Sequence, residues 1–253
     1  VPFLTTWTDP DRENTPVSTC WLAKPIKLLA QQVMTTAFDL LFPPLCVNCE
    51  RVGSFLCPRC LNKITPASPR ALPDFDGIVV RANYAPPISK AIHALKYDGQ
   101  TRLAAPLGSL LAQALSGESW PVDLVSAVPL HPKRLRERGY NQAALLARQL
   151  ADVQRWPFVP QAVQRIRETV SQVQLDVHER QRNVEGAFAA DPAWVAGKSV
   201  LLVDDVLTTG ATLSACAVAL RAAGAVSVFG ITLAGAIGHD QQAGVPGTLV
   251  GVV

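Results

Sequence analysis

The run Val200-Leu-Leu-Val-Asp-Asp-Val-Leu-Thr-Thr-Gly-Ala-Thr212 constrains the fold of this chain more than any other stretch. Val200 to Val203 is a short, β-branched apolar segment of the kind that lies buried on both faces of a parallel sheet. Asp204 and Asp205 follow at its carboxyl end, where open α/β sheets bind their ligands and where both carboxylates are expected to face solvent. Thr208, Thr209, Gly210, Ala211 and Thr212 then wrap the chain into a helix expected to begin near Leu213. Successive backbone N–H groups in such a turn make an anion cradle, reinforced by the helix dipole. Gly210 permits a positive φ and the threonine hydroxyls add donors. Two acceptors for sugar hydroxyls beside a cradle for one phosphate suit a ribose 5-phosphate. The plainer alternative is a buried strand that ends in a solvated acidic turn and an ordinary N-cap; the ordered thirteen residues weigh against it. A nucleotide P-loop fits less well, because no Gly-Lys-Ser/Thr follows the cradle.

Strands and helices alternate on either side of this run, the pattern of a parallel sheet with crossover helices. Gly77 to Tyr84, Asp123 to Val128, Phe158 to Arg167 and Val226 to Leu233 read as strands. Pro86 to Leu95, Thr101 to Leu115, Tyr140 to Ala151 and Leu213 to Ala223 read as helices. Residues 1–19 lack periodicity and read as a mobile leader. A helix is expected from Trp21 to Leu41, ended by Pro43-Pro44, and the proline-rich 65–77 reads as a linker. The expected organisation is therefore a leader (1–19), a helix with a cysteine knuckle and linker (20–75), an α/β domain (76–234) and a tail (235–253).

Four of the six cysteines form Cys46-x-x-Cys49 and Cys57-x-x-Cys60, seven residues apart. Two such turns can converge four thiolates on one structural, tetrahedral Zn²⁺, with Gly53 and Pro58 supplying the turn chemistry. Paired disulfides or a redox couple are the alternative, disfavoured in a reducing cytosol. No 18-residue apolar run suggests a membrane span, and Asp9, Asp11, Arg12 and Glu13 do not suit a secretory leader, so a cytoplasmic location is expected. The net charge of +3 does not by itself imply nucleic-acid binding.

Local basic clusters are more telling. Lys133, Arg134, Arg136 and Arg138 fall just past the strand that ends at Val128, on what reads as an adaptable loop suited to a diphosphate. A solvated surface loop or a nucleic-acid patch is the alternative. Lys96 follows the first helix and precedes Asp98-Gly99; His93 and His131 are more ordinary. The polar stretch 165–183, with Arg167, Gln172, Arg180 and Asn183, reads as a mobile loop able to close over a ligand or to meet single-stranded nucleic acid.

The run at 200–212 closely resembles the 5-phosphoribosyl 1-diphosphate (PRPP) signature of type I phosphoribosyltransferases. Arg138-Gly-Tyr-Asn-Gln142, the four-cysteine knuckle, His93-Ala-Leu-Lys-Tyr97 and Gly186-Ala-Phe188 together resemble the ComF/GntX family of competence-associated phosphoribosyltransferase-like proteins, over about residues 40–233. The resemblance implies a parallel sheet flanked by helices with a small zinc-binding unit, and PRPP as ligand with Mg²⁺. It gives Asp204 and Asp205 the ribose hydroxyls, Thr208 to Thr212 the 5′-phosphate, and Lys133, Arg134, Arg136 and Arg138 the pyrophosphate. Lys96 would approach the ribose–phosphate site, and 165–183 would be the flap. The implied activity is a glycosyltransferase of the pentosyl class, acting on a nucleobase in nucleoside metabolism and linked to DNA uptake machinery. A non-catalytic PRPP-sensing or single-stranded-DNA-binding factor is the rival.

Overall fold

Residues 43–167 and 184–236 are described in a computed structural model of the chain. The chain divides into two units, Val1–Pro44 and Leu45–Val253, and the described residues fall almost wholly in the second. The expected leader and first helix, the loop residues Gln172, Arg180 and Asn183, and nearly all of the expected tail lie outside the described residues.

In chain order, the helices are α1 (Pro58–Leu61), α2 (Ile88–Tyr97), α3 (Ala104–Ala114), α4 (Pro132–Arg138), α5 (Gln142–Gln154), α6 (Pro192–Val195) and α7 (Ala211–Ala222). The strands are β1 (Gly77–Asn83), β2 (Leu124–Ala127), β3 (Val163–Arg165), β4 (Phe188–Ala190), β5 (Ser199–Leu207) and β6 (Ser227–Gly235). A four-stranded sheet runs β1-β6-β5-β2, every neighbour parallel, and β3 and β4 form a separate antiparallel pair.

The pleat divides the core. Leu201 and Val203 of β5 point into one apolar layer with α2, α3 and α5, whereas Val200 and Leu202 point into a second layer with α7 and the β3–β4 pair. Alternate residues serving opposite faces is the period-2 geometry of a strand, and burial on both faces explains its unbroken apolar run. Cys46, Leu56, Cys57, Cys60 and Ile64 belong to the first layer, so the cysteine knuckle packs on the same face as α2 and α3.

Three expectations change. β5 continues through Asp204 and Asp205 to Leu207, because β6 pairs with it to that point. The basic segment is a helix, α4, rather than a loop: Pro132 opens it, the His131 side chain accepts the Lys133 N–H, and Gly139 at φ 80° closes it. These are the usual start and stop devices of a helix. Phe158 to Arg167 is not one strand. Phe158 bridges to Val125, Pro160–Ala162 makes a 3₁₀ turn, and only Val163–Arg165 pairs with β4. Pro160 has no N–H for a ladder and breaks the run.

The proline-rich stretch before β1 is bonded to the body. Thr65 C=O accepts from Asn83 N–H at 3.0 Å, Asp76 N–H donates to Val228 C=O at 2.9 Å, and Arg221 meets the Asp76 carboxylate at 2.7 Å.

Candidate functional site

The carboxyl ends of the sheet open on a cavity of about 760 Å³. β5 supplies Asp204 and Asp205 and then the turn Thr208–Thr212; the segment after β2 supplies His131, Lys133 and Arg134. Lys96 of α2, Arg165 of β3, Tyr84 after β1 and Ala236 after β6 also line it. The strand order sets the polarity of the site. The basic wall stands at the β2 edge, the carboxylates and the turn at the centre, and the uncharged Tyr84 at the β1 edge.

The acidic pair is not two solvated carboxylates at a strand end. Asp205 is 4% exposed, and its Oδ2 lies 2.9 Å from Lys96 Nζ. Burial alone would lower the Lys96 ammonium pKa, but the Asp205 carboxylate, with Asp204 behind it, outweighs that and raises it. The Asp204 carboxyl accepts the Asp205 N–H at 2.8 Å. Burial, with the Asp205 charge adding, pushes Asp204 up to about 7, against the opposing pull of Lys96. Near neutrality, then, the site offers one anchored carboxylate and one carboxyl that can accept or donate a hydrogen bond. Both modes suit hydroxyl groups.

Gly210, at φ 82°, is the N-cap of α7, and the Thr209 hydroxyl accepts from Ala211 N–H at 3.4 Å. The first turn of α7 carries no acidic side chain, so no carboxylate within it competes with an anion for the helix dipole. All five turn residues, Thr208 to Thr212, line the cavity.

The four basic residues of α4 do not all reach the cavity. Lys133 and Arg134 line the cavity together with Glu137, whereas Arg136 and Arg138 are not among its walls. Lys133 and Glu137, one turn apart, share a face, and the Lys133 ammonium lies 4.0 Å from the Glu137 carboxylate. The Arg138 guanidinium lies 5.2 Å over the Tyr97 ring and donates to the Gln142 side chain. Arg138-Gly-Tyr-Asn-Gln142 is largely architectural. Gly139 ends α4, Tyr140 Oη donates to Leu95 C=O at 2.5 Å, and Asn141 caps α5 while donating to Val128 C=O at 3.0 Å. Those bonds fix the turn that carries Lys133 and Arg134.

Arg165, His131, Glu137, Gln142 and Tyr84 are cavity residues that sequence reasoning did not assign. Arg165 stacks on Phe188 at 5.3 Å, and burial pushes its guanidinium pKa down. A strand reading of 158–167 was the available signal, since a strand end beside the basic segment would aim Arg165 inward. Among the expected flap residues, Arg167 is exposed and donates to Glu185 C=O at 2.5 Å. His93 lies away from the cavity walls, 3.6 Å from Asp98.

The Sγ atoms of Cys46, Cys49, Cys57 and Cys60 all lie within 4.8 Å of one another, with Cys49 and Cys57 3.6 Å apart. Zn–S bonds of about 2.3 Å in a tetrahedron place sulfurs roughly 3.8 Å apart, so the donor set and spacing fit zinc. Asn48 Nδ2 donates to Cys60 Sγ at 3.2 Å, and Cys57 N–H points to Cys46 Sγ at 3.4 Å. Burial acts against a Cys46 thiolate, but the N–H groups of Cys57, Asn48 and Cys49 prevail and bring it down to about 6. The Arg102 guanidinium over the Phe55 ring at 4.9 Å ties the knuckle to the segment before α3. Among the described residues, no helix is long and apolar enough to cross a membrane.

A model of the phosphoribosyl transferase domain matches residues 136–243. DNA utilization protein YhgH of Escherichia coli (strain K12) is 34% identical over 196 residues, covering 73% of this chain and 86% of that protein. Competence protein F of Haemophilus influenzae is 31% identical over 203 residues, covering 76% and 85%. A solved structure of glutamine phosphoribosylpyrophosphate amidotransferase from B. subtilis aligns with a TM-score of 0.39 at 21% identity. That alignment covers 55% of this chain and 30% of the amidotransferase chain.

Proposed function

Because the chain belongs to the ComF/GntX family of phosphoribosyltransferase-like proteins, we propose that its cavity binds PRPP with Mg²⁺ and transfers the phosphoribosyl group to a base, releasing pyrophosphate. The observation that carries this reading is the order of chemistry across one cavity: cationic wall, carboxyl pair, anion cradle. The Thr208–Thr212 turn holds the 5′-phosphate on the N-terminus of α7. Asp204 and Asp205 take the ribose hydroxyls, and Lys96 is a positioning residue that fixes the Asp205 carboxylate. Lys133 and Arg134 grip the diphosphate, while Arg136 and Arg138 lie outside the cavity walls.

As the bond from C1 to the diphosphate oxygen breaks, its electron pair leaves with the diphosphate toward Lys133 and Arg134. The carboxyl pair faces the positive charge that develops on the sugar. Mg²⁺, when bound with the substrate, would neutralise diphosphate charge, and Asp204 is the hard oxygen donor here not already committed to an ammonium. The four cysteines hold a structural zinc. The names of the relatives, DNA utilization and competence, support a role in DNA uptake or use, carried out in the cytoplasm.

A second reading is a PRPP sensor or single-stranded-DNA-binding factor without turnover. It draws on Tyr97, 65% exposed with Arg138 over its ring, a pairing of aromatic ring and cation that suits an unpaired base and its phosphate. Pyrophosphate release from PRPP with a panel of bases separates the two. Release that depends on one base supports transfer. No release with any base, together with DNA affinity weakened by Arg136→Gln/Arg138→Gln at two salt concentrations, favours the second.

A further inference from the structure

The segment 65–76 touches two walls of the cavity while contributing no side chain to it. A Cβ built on Gly210 would sit 2.8 Å from Leu72 Cδ2 and 3.1 Å from Leu72 Cδ1, with Leu207 Cδ1 at 3.5 Å. The Leu72 methyl groups thus lie directly against the Cα that opens the anion cradle, at the one cradle position with positive φ. Two residues earlier, Arg70 Nη2 donates to Ala236 C=O at 2.7 Å, the backbone of the wall beyond β6. The segment holds a fixed course between these contacts. Thr65 and Pro66 C=O groups accept from Asn83, Leu72 C=O accepts from Phe75 N–H, and Asp76 is bonded to both Val228 and Arg221. Phe75 packs where a Cβ on Gly230 would fall, 2.9 Å from its ring.

We infer that Leu72 is a positioning residue for the phosphate cradle, and that 65–76 is a strap through which the fold sets the cavity rather than a spacer between knuckle and sheet. This inference rests on the proposed phosphate site at Thr208–Thr212. Close contact is what gives the role its force. A glycine at φ 82° has two accessible backbone alternatives, and the residue pressed against its Cα selects one of them. With Leu72 in place, the turn at 210–212 keeps its course along the cavity wall. Without it, the turn is free to relax toward the vacated space and the donors lose their common focus.

The test is Leu72→Ala, with Leu72→Met as the volume-conserving control. Calorimetric titrations use PRPP with Mg²⁺, ribose 5-phosphate and inorganic pyrophosphate as separate probes. Misplacing cradle donors by a fraction of an ångström is expected to weaken ribose 5-phosphate and PRPP by about tenfold. Pyrophosphate, held by Lys133 and Arg134 at the other wall, should be unchanged, and Leu72→Met should restore both affinities. In ligand-free protein the Gly210 and Thr209 amide resonances should shift in Leu72→Ala but not in Leu72→Met. Arg70→Gln, which leaves the apolar packing intact, provides a second variant if Leu72→Ala does not fold; it should move the Ala236 amide. Equal loss of all three ligands means general destabilisation and overturns the inference, as does an unshifted cradle with wild-type affinities. Wild-type protein that binds neither PRPP nor ribose 5-phosphate overturns the phosphate site itself, and the inference with it.

Discussion

Replacing Lys96 by Met keeps the length of the side chain and most of its packing but removes the ammonium 2.9 Å from Asp205. The Asp205 side chain is 5% exposed and that of Lys96 19%, so the carboxylate is left buried with no counter-charge. Breaking a buried pair from one side costs about 3–5 kcal/mol, and the partial exposure of Lys96 puts the expected loss near the lower end. At a urea sensitivity of about 1–3 kcal/mol per molar, that loss lowers the unfolding midpoint by roughly 1 M or more. The assay is urea unfolding of wild type, Lys96→Met, Asp205→Asn and the double variant at pH 8. Lys96→Met should be the least stable and be largely rescued by adding Asp205→Asn. A single variant that loses less than about 0.5 kcal/mol, the range of ordinary surface changes, refutes the reasoning, as does a loss that the second substitution does not reverse.

Asp204, raised from 3.8 to about 7 in the fold, contributes stability that is fully present below about pH 4 and lost as pH rises toward 7. Asp204→Asn should therefore melt above wild type at pH 8, by about 2–4 °C for each kcal/mol, with the gap closing toward pH 4; a gap independent of pH contradicts the assignment. Metal analysis should find about one zinc per chain, lost in Cys46→Ser/Cys57→Ser, since structural sites bind with roughly 10–16 kcal/mol; metal-free protein with four intact thiols would count against the knuckle. Lys133→Gln/Arg134→Gln should weaken pyrophosphate and PRPP by about tenfold or more, losing charge-assisted hydrogen bonds, with ribose 5-phosphate spared. Arg136→Gln/Arg138→Gln, outside the cavity walls, should leave all three ligands unchanged, and equal effects of the two pairs would contradict the division.

The apolar core of β5, the cradle and the cysteine spacing were legible in sequence because each is written in consecutive or closely spaced residues. Helix α4 was marked by Pro132 and Gly139, but the density of charge between them read more strongly as a loop. The extent of β5 was not legible. Aspartates ordinarily end strands, and only β6 pairing beside them carries the ladder to Leu207. The Lys96–Asp205 pair and the Leu72–Gly210 contact join residues far apart in the chain, and no local pattern encodes either. The same limit hid Arg165 and Tyr84, whose place in the cavity follows from strand order rather than from their neighbours in sequence.

Calorimetric titration of PRPP with Mg²⁺ into wild type and into Asp204→Asn/Asp205→Asn tests the central assignment most directly. Both substitutions preserve side-chain shape but leave Lys96 without its counter-charge, so affinities are compared once circular dichroism shows the variant folded. Saturable binding to wild type, weakened at least a hundredfold in the variant, is the expected result, because two hydroxyl-binding groups are lost at about 1.5–3 kcal/mol each. PRPP that fails to bind wild type, or that binds the folded variant equally well, contradicts the assignment of this cavity to a phosphoribosyl substrate.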